Sequence, residues 1–306
     1  MTSQYDKISV LDPIAPAIER VKTILFKPFD LGKWFVIGFC AWLAYLGKGG
    51  GGGNGFNFPH DEELKQAIEQ AKHFVIENLF WIVPVAIFVM MLMTVLWLVL
   101  TWLGSRGRFM FLHCVAENKA EVKNPWTKFR QHANSLFLFR IVLGLIGFFV
   151  VALPLLLGII ALIAASSAIR VGFVLGLVML ALVLFVVSIV LLLIYKFTTD
   201  FVVPIMFLRM TSCTAAWREF LTILSVNKAR FVLYILFQIV IGICISAIIL
   251  AAMCVTCCCA CCILAIPYLN TVLLLPVFVF KRSYSLYYLR QFGPQFDVFS
   301  SIVETI

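Results

Sequence analysis

The chain has 306 residues, 63% of them hydrophobic and only 13% charged, with a formal net charge of +9 and a mean hydropathy of +1.04. Soluble domains carry roughly 25% charged residues and about 45–50% apolar ones, so a soluble enzyme or binding module is excluded and an all-α integral membrane protein is expected. The basic residues stand beside apolar runs, so the partner implied by the charge is an anionic phospholipid surface rather than nucleic acid.

The first 30 residues hold Asp6, Asp12, Pro13, Pro16 and Glu19 and no compact apolar core. A cleaved signal peptide is therefore not expected, and the first hydrophobic helix directs insertion. A spanning helix needs about 20 mainly apolar residues, and six segments qualify: 31–47, 80–103, 136–165, 171–195, 231–254 and 263–280. The first is short. It either crosses with Lys33 and Lys48 reaching outward or forms a re-entrant loop. In the third, Pro154 removes a backbone hydrogen bond and is expected to kink the helix.

With a cytoplasmic N-terminus, the inner segments hold twenty Lys and Arg against four outside. That bias places both termini in the cytoplasm. The outer loop 47–79 joins a glycine-rich tether, Gly49–Gly53, to an amphipathic stretch with Leu64, Ile68, Ala71 and Val75 on one face and acidic residues on the other.

Three stretches share one pattern, a basic amphipathic helix, a small loop and an apolar run: AIERVKTILFKPFDLGKWFVIGF (17–39), PWTKFRQHANSLFLFRIVLGL (125–145) and AAWREFLTILSVNKARFVLYILF (215–237). The expected architecture is three parallel repeats, approximately 12–103, 109–195 and 201–280, related by an axis along the membrane normal. Each repeat is a cytoplasmic interface helix followed by a transmembrane hairpin. Basic and aromatic residues of such helices sit at headgroup level with the apolar face among acyl chains. The candidate lipid-interface residues are Arg20, Lys22 and Lys27; Trp126, Lys128 and Arg130; and Trp217, Arg218, Lys228 and Arg230.

Six of the ten cysteines, Cys254, Cys257, Cys258, Cys259, Cys261 and Cys262, fall at the outer turn of the third hairpin. They read as small packing side chains, as disulfides on an oxidising face, as a metal site of zinc-like spacing that lacks a second, distant ligand pair, or as a lipidated cluster. Deep in the membrane, Gln238 and Asn270 lie at comparable depth on adjacent spans, and a hydrogen bond between them is expected to lock the third hairpin. The segment 281–306 begins basic and is aromatic throughout, and reads either as a tail along the cytoplasmic surface or as a plug under the bundle.

The Trp-x-x-Phe pairs Trp126/Phe129 and Trp217/Phe220, with Asn134, Asn227 and Arg230 leading into a span, resemble a pattern of uncharacterised prokaryotic polytopic proteins. The pattern is similar to the membrane-anchor domain beside some glycerophosphodiester phosphodiesterases, and more loosely to Yip1-like six-span proteins, over about 100–290. The resemblance implies a bacterial inner-membrane protein and transfers no catalytic residue.

No nucleophile–base, nucleotide-binding or zinc-protease motif is present, so neither a catalytic residue nor a metal or other cofactor is expected. None of the six spans has a charged residue near its centre, which argues against a proton-coupled carrier. Two functions remain. One is a non-enzymatic scaffold or accessory subunit that engages anionic phospholipid and partners in a homo- or hetero-oligomer. The other is a channel or carrier for a small neutral or lipidic solute.

Overall fold

The computed structural model describes residues 8–46, 77–164, 170–255 and 266–299, and among these every regular element is helical. In chain order they are α1 (Ile14–Leu25), α2 (Leu31–Tyr45), α3 (Leu79–Glu117), α4 (Lys123–Lys128), α5 (Arg130–Gly147), α6 (Leu153–Ala164), α7 (Arg170–Phe197), α8 (Val203–Arg209), α9 (Cys213–Val226), α10 (Lys228–Val255), α11 (Pro267–Leu273) and α12 (Leu275–Arg290). Four continuous helical stretches are long and apolar enough to cross a membrane: Phe80–Glu117, Arg130–Ala161, Val174–Arg209 and Lys228–Cys254. Leu31–Tyr45 is apolar but shorter.

Proline explains three irregularities. Between α5 and α6 the backbone makes a π-helical turn, Phe148–Ala152, and between α7 and α8 a second, Thr198–Val202. Each ends two residues before a proline, Pro154 or Pro204. The ring has no N–H and crowds the carbonyl four residues back, so the chain absorbs the mismatch by widening one turn rather than breaking. The expected uninterrupted span 263–280 is instead divided at Leu274 into α11 and α12, with Pro276 in the first turn of α12. Pro276 frees the carbonyl of Val272, which accepts the indole N–H of Trp34 from α2 at 2.9 Å.

The helices divide into two zones. At one end Phe109–Ala116 of α3, Phe201–Met206 across the second π turn and α8, Phe231 and Tyr234 of α10, and Tyr284–Leu289 of α12 form a dense core. Away from it the same long helices splay, and Trp81, Phe88, Val178, Leu182, Leu236 and Ile243 are exposed. Lipid tails are as apolar as leucine, so nothing drives these faces together in a bilayer.

The packed zone corrects the placing of the amphipathic helices. Ala17, Val21, Ile24 and Leu25 of α1 are buried in protein, not among acyl chains, and α1 lies along α12. Burying each large aliphatic side chain is worth about 1.5–3 kcal/mol, as an upper estimate. In α9, Ala216 and Phe220 are equally buried. Phe220 stacks on Phe201 with centroids 5.4 Å apart and planes at 10°, and Phe129 on Phe109 at 5.8 Å and 13°.

Nor do residues 281–299 lie along the surface. They complete α12 and fold under the bundle, with Tyr284, Tyr288, Phe292 and Phe296 buried. The α2–α3 contact depends on Gly107, where a Cβ would lie 2.5 Å from the backbone N of Ala44 and 2.6 Å from Leu43 Cβ.

Candidate functional site

Between α3, α5 and α7 lies an open cleft of about 770 Å³. Its walls are apolar: Trp97 and Leu100 from α3, Leu143 from α5, Val151 from the first π turn, and Leu191 and Leu192 from α7. Glycine makes the concavity, since a Cβ on Gly144 would sit 2.9 Å from the Trp97 ring. Of its polar side chains, Arg140, Tyr195 and Lys196 gather with Thr101 at the end nearest the packed core, and Ser188 lies about two turns away along α7. An apolar trough with cations at one end has the shape and polarity of a bound amphiphile.

The cations differ in their partners. Lys196 Nζ lies 2.7 Å from Asp200 Oδ2, one turn further along the chain. Arg140 donates through Nη1 to the carbonyl of Thr101 at 3.2 Å and the Ser105 hydroxyl at 3.1 Å. Among the described residues no carboxylate pairs with Arg140, so its charge is met only by neutral oxygens. Tyr195 stands between this cleft and the core. Its ring lies 5.7 Å from the Arg140 guanidinium, and its hydroxyl accepts a short hydrogen bond from Arg108 Nη2.

Behind Tyr195 the core holds further buried charge. Asp200 also accepts from the Tyr234 hydroxyl at 3.0 Å, and Gln238 donates to that hydroxyl at 3.2 Å. Gln238 thus joins a Lys196–Asp200–Tyr234 network, and the expected hydrogen bond with Asn270 is not made; Asn270 Oδ1 is buried without a partner. Tyr234 and Gln238 are one turn apart on one helix face, which outweighs a match in depth across two helices.

The residues assigned to the lipid interface separate into two groups. Lys22, Lys27, Lys128, Arg130, Arg218 and Lys228 are exposed. Arg20, in contrast, donates from Nη2 to the carbonyls of Val115 at 2.9 Å and Ala116 at 2.5 Å, and from Nε to Val115 at 3.2 Å. It caps the C-terminus of α3, where the helix dipole favours a cation, and burial holds its pKa below the usual arginine value. Trp126 and Trp102 clasp the Arg106 guanidinium at 4.7 and 4.3 Å. Trp217 packs on Phe139 and Phe220, and the Arg230 carbonyl accepts from the Tyr288 hydroxyl at 2.9 Å. Cys254 is a free, exposed thiol. Cys257, Cys258, Cys259, Cys261 and Cys262, and the outer stretch 47–76, lie outside the described residues.

Sequence reasoning does not single out Arg108, Arg140, Tyr195 or Arg282. The available signal is the Tyr195-Lys196-x-x-x-Asp200 run closing a long apolar helix, an i,i+4 ion pair at the edge of a span.

Four membrane-length apolar helices rooted in one packed end define an α-helical membrane protein. Residues 8–275 match a family of unknown function (DUF7544), and the chain belongs to that family. No curated protein and no solved structure matches it. The family match lends no support to a likeness with phosphodiesterase membrane anchors or Yip1-like proteins.

Proposed function

We propose that this is a non-enzymatic membrane protein that holds one anionic phospholipid in the cleft between α3, α5 and α7. In this reading the lipid phosphate meets Arg140, beside Lys196, and an acyl chain runs along Leu143, Val151 and Leu191. The observation that carries it is Arg140, a cation unpaired with any described carboxylate at the polar end of an apolar cleft. Its biological role is that of a lipid-engaging scaffold or accessory subunit working in a homo- or hetero-oligomer.

The proposal includes the full topology: six spans in three parallel repeats, with both termini and the packed end on the cytoplasmic side of a bacterial inner membrane. The twenty-to-four basic bias supports that orientation. The matching Phe109–Phe129 and Phe201–Phe220 stacks support the repeat. A carrier of lipidic solutes is the second reading, favoured by the π turn Phe148–Ala152 bordering the cleft, because π turns in α-helices often mark functional positions.

Native mass spectrometry after extraction in mild detergent tests the proposal. With phosphatidylglycerol and phosphatidylcholine supplied together, the wild type retains one phosphatidylglycerol and Arg140→Gln loses it. Equal retention of the zwitterionic lipid, or unchanged retention by the variant, would refute it. Fluorescent-lipid movement across proteoliposomes that depends on Leu191 and Gly144 would select the carrier reading.

A further inference from the structure

We propose that the centre of the packed end is a binding site for one monatomic anion, a halide held between the guanidinium groups of Arg108 and Arg282. The two arginines come from α3 and α12 and are 4% and 6% exposed. They line a cavity of about 20 Å³ together with Ala44, Tyr45, Phe111 and Thr199. Each spends one nitrogen on protein: Arg108 Nη2 on the Tyr195 hydroxyl, and Arg282 Nη1 on the Thr199 carbonyl at 2.6 Å. The other four buried nitrogens, Nε and Nη1 of Arg108 and Nε and Nη2 of Arg282, have no hydrogen-bond partner among the described residues.

A guanidinium does not deprotonate in proteins, and a buried charge without a counter-charge costs several kcal/mol. Asp200 is the nearby carboxylate, and it is already engaged by Lys196 at 2.7 Å and the Tyr234 hydroxyl at 3.0 Å. Positive charge is therefore in excess, and water, being neutral, would leave it so.

Size selects the anion. A single water needs roughly 10–15 Å³ of such space, so the cavity holds one atom-sized occupant and excludes phosphate, sulfate or a carboxylate-bearing metabolite. The walls from Ala44, Tyr45 and Phe111 suit a large, weakly hydrated ion such as chloride or bromide. This site is distinct from the lipid cleft, since Tyr195 separates them, and its test is independent of the lipid reading.

The test uses the full chain purified in detergent and exchanged into sodium gluconate. Sodium chloride or bromide then replaces gluconate at constant ionic strength while thermal unfolding is followed. The expected result is a saturable rise in Tm with either halide and none with sulfate. Arg282→Gln abolishes the rise, and Arg282→Lys restores part of it. Should Arg282→Gln not fold, crystals of the wild type grown in bromide decide the question: one anomalous peak between Arg108 and Arg282 is expected. A Tm indifferent to halide, a rise matched by sulfate, or bromide crystals with no peak in this cavity would overturn the proposal.

Discussion

Replacing Gly107 by alanine puts a methyl group where the backbone of α2 already lies. The new Cβ would stand 2.6 Å from Leu43 Cβ and 2.5 Å from the amide nitrogen of Ala44. Carbon–carbon contacts settle at about 3.5–4.0 Å, so α2 must withdraw by about 1 Å, and a backbone cannot rotate aside as a side chain can. Overpacking of this kind costs about 1–3 kcal/mol, against which alanine recovers at most ~1 kcal/mol of helix propensity. For a chain of this size, with an unfolding entropy of about 2 cal/mol/K per residue, the net loss corresponds to a fall in Tm of roughly 1–5 °C.

Gly176→Ala and Gly242→Ala are the controls, because nothing lies within 4 Å of a Cβ at either position. They gain the propensity without the clash, so Tm should stay level or rise. Thermal unfolding of the three variants in one detergent gives the comparison. If Gly107→Ala is as stable as Gly242→Ala, α2 and α3 do not approach as described, and the account of how the packed end is assembled fails with them.

Two further outcomes follow from the same zone. Arg20→Ala removes three donor contacts to the last carbonyls of α3; hydrogen bonds from a charged group are worth about 1.5–3 kcal/mol. Tm should fall, and Arg20→Lys should recover only part because a single ammonium cannot reproduce the fork. Cys213 is buried, and burial pushes its thiol from 9.0 up to about 12. Its contribution to stability is complete below pH 9 and is lost as pH rises toward 12. Folded protein treated with N-ethylmaleimide at pH 8 should carry no adduct on the Cys213 peptide, whereas the same protein in denaturant should be fully labelled there.

Much of the secondary structure is legible in the sequence: Ile14, Ile18, Val21 and Leu25 recur at helical spacing and do form a helix, but the buried face is turned to Ala17, Val21, Ile24 and Leu25, with Ile18 exposed. What covers that stripe is not legible, since lipid and protein satisfy an apolar face equally well. The same ambiguity sends 281–299 either to the membrane surface or beneath the bundle, and only the tertiary arrangement resolves it. Arg108 and Arg282 are hidden for a different reason. The count of basic residues that orients a membrane protein treats every arginine alike, so two buried in the core pass as two at the surface. Gln238 is misassigned because depth along a helix carries no information about rotation around it, and rotation gives it to Tyr234.

The N-terminal segment is fastened to the last helix of the bundle. Ser9 and Gln291 exchange hydrogen bonds at 2.8 and 3.0 Å, and the Tyr284 hydroxyl donates to the Val10 carbonyl at 2.8 Å. At roughly 5–20 residues per second of synthesis, about 260 residues separate α1 from its partner, a delay of about 13–50 s. During that interval α1 has no native α12 surface to cover its apolar stripe, and the bilayer interface is the refuge nearest to hand. The amphipathic pattern that in the finished protein belongs to a core thus also equips α1 to wait at the membrane, and this helix reaches its place only after α12 has been made.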